Sequence, residues 1–130
     1  MRDVIKTSDA PKAIGPYSQG IRIGNLVYTA GQAAVDPATG RLIEGDIKAQ
    51  TEQTMKNLDA ILRAAGTSLQ RAVKANVYLH NIADFAAMNE VYARWIDPEK
   101  PPARTTVGGL DLPLGALVEI EVVADASEGS

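Results

Sequence analysis

At 130 residues, with 45% hydrophobic and 22% charged residues, the chain has the composition of one ordinary globular domain with enough apolar material for a core. A net charge of −3 with scattered basic residues argues against a nucleic-acid footprint, and the absence of cysteine excludes a disulfide framework, a thiolate zinc site and a cysteine nucleophile. No run approaches the roughly 20 apolar residues that span a bilayer, and residues 1–6 lack the apolar core of a signal peptide, so the expectation is a cytoplasmic protein with no membrane partner.

In chain order, segments 20–23 and 26–30 flank Gly24-Asn25, a two-residue hairpin signal, and predict two antiparallel strands. Over residues 46–65, Ile47, Thr51, Met55, Leu58, Ile61, Leu62 and Ala65 recur at helical spacing, with Asp46 able to cap the start and Gly66 to end the helix. Val73, Ala75, Val77 and Leu79 then alternate with Lys74, Asn76 and Tyr78, the pattern of a half-buried strand. A second helix is predicted over 82–95. Its apolar stripe is Phe85, Met88, Val91, Tyr92 and Trp95, with Asn81 or Asp84 as cap and Pro98 as stop. A short strand over 103–107 precedes a longer one in which Val118, Ile120, Val122 and Ala124 alternate with Glu119, Glu121 and Val123. The tail, 127–130, is expected to fray.

The order ββ, α, β, α, ββ predicts one α+β domain, a mixed sheet with both helices on one face. The other face would carry Lys74, Asn76, Tyr78, Glu119 and Glu121 with Val123. It is either wet or covered by another subunit, and the strand patterns leave both open.

Chemistry concentrates in the last third. Arg104 follows Pro101 and Pro102, which each fix their own φ, and the second restrains the residue before it. Small neighbours leave the guanidinium accessible, and its fork can grip a small carboxylate at two points. The alternative is a surface arginine held in an ion pair. Glu119 and Glu121 lie two apart on a strand, on one face and about 6.7 Å from each other. Burial and mutual repulsion would raise a pKa and suit acid/base work, although alternating glutamates also mark the wet face of an amphipathic strand.

Gly15-Pro16 fixes a turn that presents the Tyr17 phenol to a polar ligand, or half-buries it. Gly31, at a strand end, allows close backbone approach or marks a bulge. His80, the single histidine, cannot build a metal cluster and is expected to be structural; Phe85 and Trp95 are expected in the core. Neither phosphate-loop pattern, GxxxxGK[ST] or GxGxxG, occurs.

Ile14-Gly15-Pro16-Tyr17-Ser18-Gln19, Ala30-Gly31-Gln32, Gln50 through Asn57-Leu58 to Ala65-Gly66, Pro102-Ala103-Arg104, Leu112-Pro113 and Val118-Glu119-Ile120-Glu121 follow one another in order. With them, the chain resembles the RidA family of reactive-intermediate (imine) deaminases over nearly its whole length. The resemblance implies a chorismate-mutase-like α+β fold assembled as a homotrimer, with active sites in clefts between subunits. It also implies hydrolysis of 2-imino acids, such as 2-iminobutanoate and 2-iminopropanoate, to 2-keto acids and ammonia, with no cofactor and no metal. Such imines leak from pyridoxal-phosphate enzymes acting on threonine and serine.

Carried over by motif, Arg104 would clamp the substrate carboxylate and Glu119 would orient the water that attacks the imine carbon, with Glu121 in support. Tyr17 would border the pocket from the adjacent subunit, Gly31 and the backbone of Thr106 would contact substrate, and Asn89 would line the pocket. Three departures stand out. Ala30 replaces a common serine and Thr106 a common cysteine, and the link through Asp97-Pro98-Glu99-Lys100 is shorter than in typical members, which bears on the preferred imine side chain. A different outcome on the same fold is a non-catalytic trimeric module that binds a small keto acid on Arg104 and does not need Glu119.

Overall fold

The computed structural model describes residues 1–128. Strands β1 (Arg2–Ile5), β2 (Gly20–Ile23) and β3 (Leu26–Thr29) come first, then helix α1 (Ile47–Ala64), strand β4 (Ala72–Leu79), helix α2 (Phe85–Tyr92), and strands β5 (Ala103–Val107) and β6 (Val118–Asp125). They build one six-stranded sheet in the order β1-β2-β3-β6-β4-β5, antiparallel throughout except for the parallel β4–β5 pair. The mixed sheet and two helices match the expected α+β class.

The first helix forms as its periodicity predicts. The Asp46 carboxylate accepts from the Ala49 N–H and satisfies one of the orphan donors of the first turn. Met55, Leu58, Ile61 and Leu62 are buried, and each such side chain contributes about 1.5–3 kcal/mol on leaving water. Both helices face the same side of the sheet, where Met55, Leu58, Leu62 and Met88 share one core cluster with Ala75, Val77, Leu79, Val118, Ile120 and Val122.

Four expectations need correction. Strand β1 was not foreseen, because an exposed edge strand of four residues carries no alternation to read; its evidence is the pairing with β2. Val73 does not face the core: a bulge against β6 between Ala72 and Lys74 turns Ala72 inward and leaves Val73 46% exposed. One extra residue shifts the phase of everything before it. The helix predicted over 82–95 is an eight-residue α-helix between two single 3-10 turns, Ile82–Asp84 and Ala93–Trp95. Asn81 caps it by accepting from the Ala83 N–H, Asp84 makes no capping bond, and Ile96 is already extended two residues before Pro98.

The fourth correction is Phe85, which is 37% exposed rather than in the core. Trp95 does pack at the edge of the core, its indole N–H donating to Glu52 at 3.0 Å. Of the tail, Ser127 is tied down by its N–H to Asp125 Oδ1, while 129–130 lie outside the described residues.

Register decides which side chains share a face. On the face away from the helices, Asn76 sits opposite Glu121 and Tyr78 opposite Glu119, as the alternation predicts. The same face carries Val4, Ile23, Leu26, Tyr28 and Val107, all exposed.

Candidate active site

Arg104 enters through the parallel pairing of β5 with β4, which puts Arg104 beside Ala75 and Thr106 beside Val77. Both side chains therefore rise on the helix side of the sheet, at its edge, where α2 lies. There Arg104 Nη1 donates to Asn89 Oδ1 at 2.6 Å, and Cζ stands 4.8 Å from the Tyr92 ring centroid and 5.4 Å from that of Phe85. Among the described residues no carboxylate pairs with this guanidinium, so the ion-pair alternative is not taken. Its one hydrogen bond of good geometry there goes to Asn89, with the Tyr92 phenol close by as a looser polar neighbour.

Beside the cation runs an open groove of about 590 Å³ walled by Tyr92, Ile96, Pro98 and Pro102. Pro98 belongs to the 97–100 link, so that link borders the same groove as Arg104. Two buried hydroxyls nearby, Tyr92 Oη and Thr106 Oγ1, have no hydrogen bond of good geometry among the described residues, a state that ordinarily costs about 1–3 kcal/mol per group. Burial pushes the Tyr92 phenol up, and the Arg104 charge partly opposes it.

Glu119 belongs to a different neighbourhood. The Gln32 N–H donates to the Ile120 carbonyl at 2.9 Å and the Ile120 N–H to the Gln32 carbonyl at 3.0 Å, laying Gly31 alongside Glu119. A Cβ on Gly31 would fall 2.6 Å from Glu119 Oε2, so only glycine leaves the carboxylate where it is. Two buried amides of α1 fasten these segments: Gln50 Oε1 accepts from the Leu117 N–H at 2.9 Å, and Asn57 Nδ2 donates to the carbonyls of Ala33 and Val35. That is the physical role of the Gln50 and Asn57 positions in the sequence pattern. Burial first, and the Glu121 carboxylate second, raise Glu119 above the ordinary glutamate range. Glu121 itself accepts from Asn76 Nδ2 at 3.2 Å, and the nearby Tyr78 is raised by burial and then by the two glutamates.

Tyr17 stands on its own loop, 50% exposed. Its N–H donates to the Gly15 carbonyl at 2.8 Å, and its phenol oxygen accepts weakly from the Ile14 N–H at 3.4 Å. Gln19 anchors the loop from below: buried, it donates to the carbonyls of Thr7, Ala10 and Pro11 and accepts from the Thr7 N–H. His80 lies at the end of β4, with Nδ1 2.9 Å from the Leu110 carbonyl.

Within one chain, then, Arg104, Asn89 and Thr106 occupy the helix side of the sheet, whereas Glu119, with Gly31 against it, occupies the opposite face. Phe85 and Tyr92 were missed as partners of Arg104. Their spacing with Asn89 was legible, but aromatic residues on a helical stripe read as core.

Residues 7–126 match the family model described as endoribonuclease L-PSP. A RutC family protein of Pyrococcus horikoshii is 52% identical over 124 residues, covering 95% of this chain and 98% of that protein. The chloroplastic Reactive Intermediate Deaminase A of Arabidopsis thaliana is 42% identical over 123 residues, covering 95% of this chain and 65% of that protein. Among solved structures, RidA from the Antarctic bacterium Psychrobacter superposes with a TM-score of 0.89 at 46% identity, covering 95% of this chain and 98% of that one.

Proposed function

This chain belongs to the Rid family, the relatives of endoribonuclease L-PSP, and on that premise we propose that it hydrolyses 2-imino acids such as 2-iminobutanoate and 2-iminopropanoate to 2-keto acids and ammonia. The observation that carries the proposal is Arg104: a guanidinium without a carboxylate partner among the described residues, lining an apolar-walled groove. That arrangement fits a small carboxylate bearing an apolar substituent. A nucleic-acid ligand fits less well, given the net charge of −3 and the two carboxylates side by side on the open face.

The chemistry asks little beyond positioning. Water adds to C2 of the imine while the nitrogen takes up a proton; the resulting carbinolamine breaks its C–N bond, and ammonia leaves the keto acid behind. Arg104 fixes the carboxylate, and Glu119 orients the water and accepts its proton, a task suited to a carboxylate with a raised pKa. Tyr17 has its phenol proton available for an acceptor at the border of the pocket, Gly31 leaves room for the Glu119 carboxylate beside the substrate, and the Thr106 backbone contacts the substrate. No helix among the described residues is long and apolar enough to cross a membrane.

Because Arg104 and Glu119 lie on opposite faces of one sheet, the proposed site takes Arg104, Asn89 and Thr106 from one copy and Glu119, Gly31 and Tyr17 from another. A homotrimer with clefts between subunits meets that requirement, and the exposed apolar residues of the open face favour such a cover.

The test generates 2-iminopropanoate or 2-iminobutanoate in situ with an amino acid oxidase and follows its decay with and without this protein. Accelerated decay is expected. No acceleration, with keto-acid binding retained, would instead identify a binding module. A second expectation concerns Gly31→Ala. The added methyl meets the mobile end of Glu119 rather than backbone, so stability should change by no more than about 0.5 kcal/mol. Imine turnover should fall, since the carboxylate is displaced; denaturant unfolding and kcat, measured together, check both halves.

A further inference from the structure

We infer that Phe85 and Tyr92 are positioning residues for Arg104, and that with Asn89 they form a holder on α2 that fixes the cation without neutralising it. The inference rests on Arg104 being the carboxylate clamp. Phe85, Asn89 and Tyr92 are spaced i, i+4, i+7 and so share one helix face. The two aromatic positions are about 10 Å apart along the helix axis, and Arg104 Cζ lies 5.4 Å from one ring centroid and 4.8 Å from the other. The cation therefore bridges the two rings, with Asn89 Oδ1 accepting from Nη1 between them.

Every group in the holder is neutral. A carboxylate would grip a guanidinium more firmly, but it would compete with the carboxylate of the substrate. Two ring faces and an amide oxygen attract the cation and leave its full charge to the ligand. They also set its direction: Nη1 is turned onto Asn89 and the Tyr92 phenol lies close by, so the guanidinium is held in one orientation and presents its side edge, Nε–H and Nη2–H, to a carboxylate. Met88 and Val91, buried on the adjacent face of α2, fix the rotation of the helix and so the aim of the stripe. Phe85, only partly buried, sets its ring against the cation rather than in the core.

The test measures 2-oxobutanoate affinity by titration calorimetry on the whole protein, alongside KM and kcat for 2-iminobutanoate. In Phe85→Leu, at a partly exposed position that should tolerate the change, Kd and KM are expected to rise about 2- to 30-fold, with kcat nearly unchanged. Phe85→Tyr should restore both. Affinity for 2-oxobutanamide, which has no carboxylate, should not move. Asn89→Asp should weaken 2-oxobutanoate binding by about tenfold or more, because the new charge neutralises Arg104 and repels the ligand; a merely structural contact would instead hold Arg104 as well or better and leave Kd alone. Unchanged Kd in both variants, with the wild type binding normally, overturns the holder. A wild type that binds no 2-oxobutanoate overturns the carboxylate clamp itself, and the holder with it.

Discussion

Replacing Arg104 with alanine is expected to lower kcat/KM for 2-iminobutanoate by about 100- to 10,000-fold and to weaken 2-oxobutanoate binding by a similar factor. The estimate follows from two parallel charge-assisted hydrogen bonds at about 1.5–3 kcal/mol each, with about 1.4 kcal/mol per factor of ten. Folding should survive. Arg104 makes no ion pair among the described residues, and its polar neighbours on α2, Asn89 and Tyr92, are uncharged, so its removal leaves no buried charge unpaired. Arg104→Lys separates charge from shape: it keeps the cation but loses the planar fork, and should fall between the wild type and Arg104→Ala. Steady-state kinetics and ligand titration on the three proteins check this. Full turnover in Arg104→Ala would remove the carboxylate clamp from consideration.

The Arg104 prediction could be framed from the sequence, but its setting could not. Arg104 is conspicuous because prolines and small residues surround it; nothing in that stretch says that β5 pairs parallel with β4, and this pairing alone puts Arg104 on the helix side. Glu119 is conspicuous because β6 alternates over eight residues, long enough for the period to be unmistakable. Length likewise made α1 legible, over 18 residues, through both its apolar stripe and its Asp46 cap. Short or interrupted elements were not. Strand β1 is four exposed residues, and the bulge at Val73 breaks the phase that alternation relies on. Phe85 and Tyr92 were hidden for another reason: hydrophobic periodicity reports that a side chain leaves water, not whether it meets a leucine or a guanidinium. The polar residues buried along α1, Gln50 and Asn57, escaped physical explanation until their backbone partners in the 33–35 segment and at Leu117 were in view.

Glu119→Gln carries the other large effect. If Glu119 orients and deprotonates the attacking water, its amide should reduce kcat about 100- to 10,000-fold while leaving 2-oxobutanoate affinity nearly intact, because Arg104 is untouched. The pH dependence has a definite sign. The carboxylate is the active form, and burial together with Glu121 raises its pKa, so wild-type kcat should fall with decreasing pH at a value above the roughly 4.3 of an ordinary glutamate. Stability runs the other way. A carboxylate whose folded pKa is raised favours the fold most when protonated, below its unfolded pKa, and that contribution is lost as pH rises through the folded value. Glu119→Gln, with no charge to desolvate, should therefore be at least as stable as the wild type at neutral pH while much less active. Mixing this variant with Arg104→Ala tests the shared site directly. If Arg104 and Glu119 of different copies meet in a closed ring, random exchange of subunits pairs an intact Arg104 with an intact Glu119 in one site of four. Two inactive proteins should then yield about a quarter of the wild-type rate. A site built within one chain gains nothing from mixing, because every copy still lacks one of the two groups.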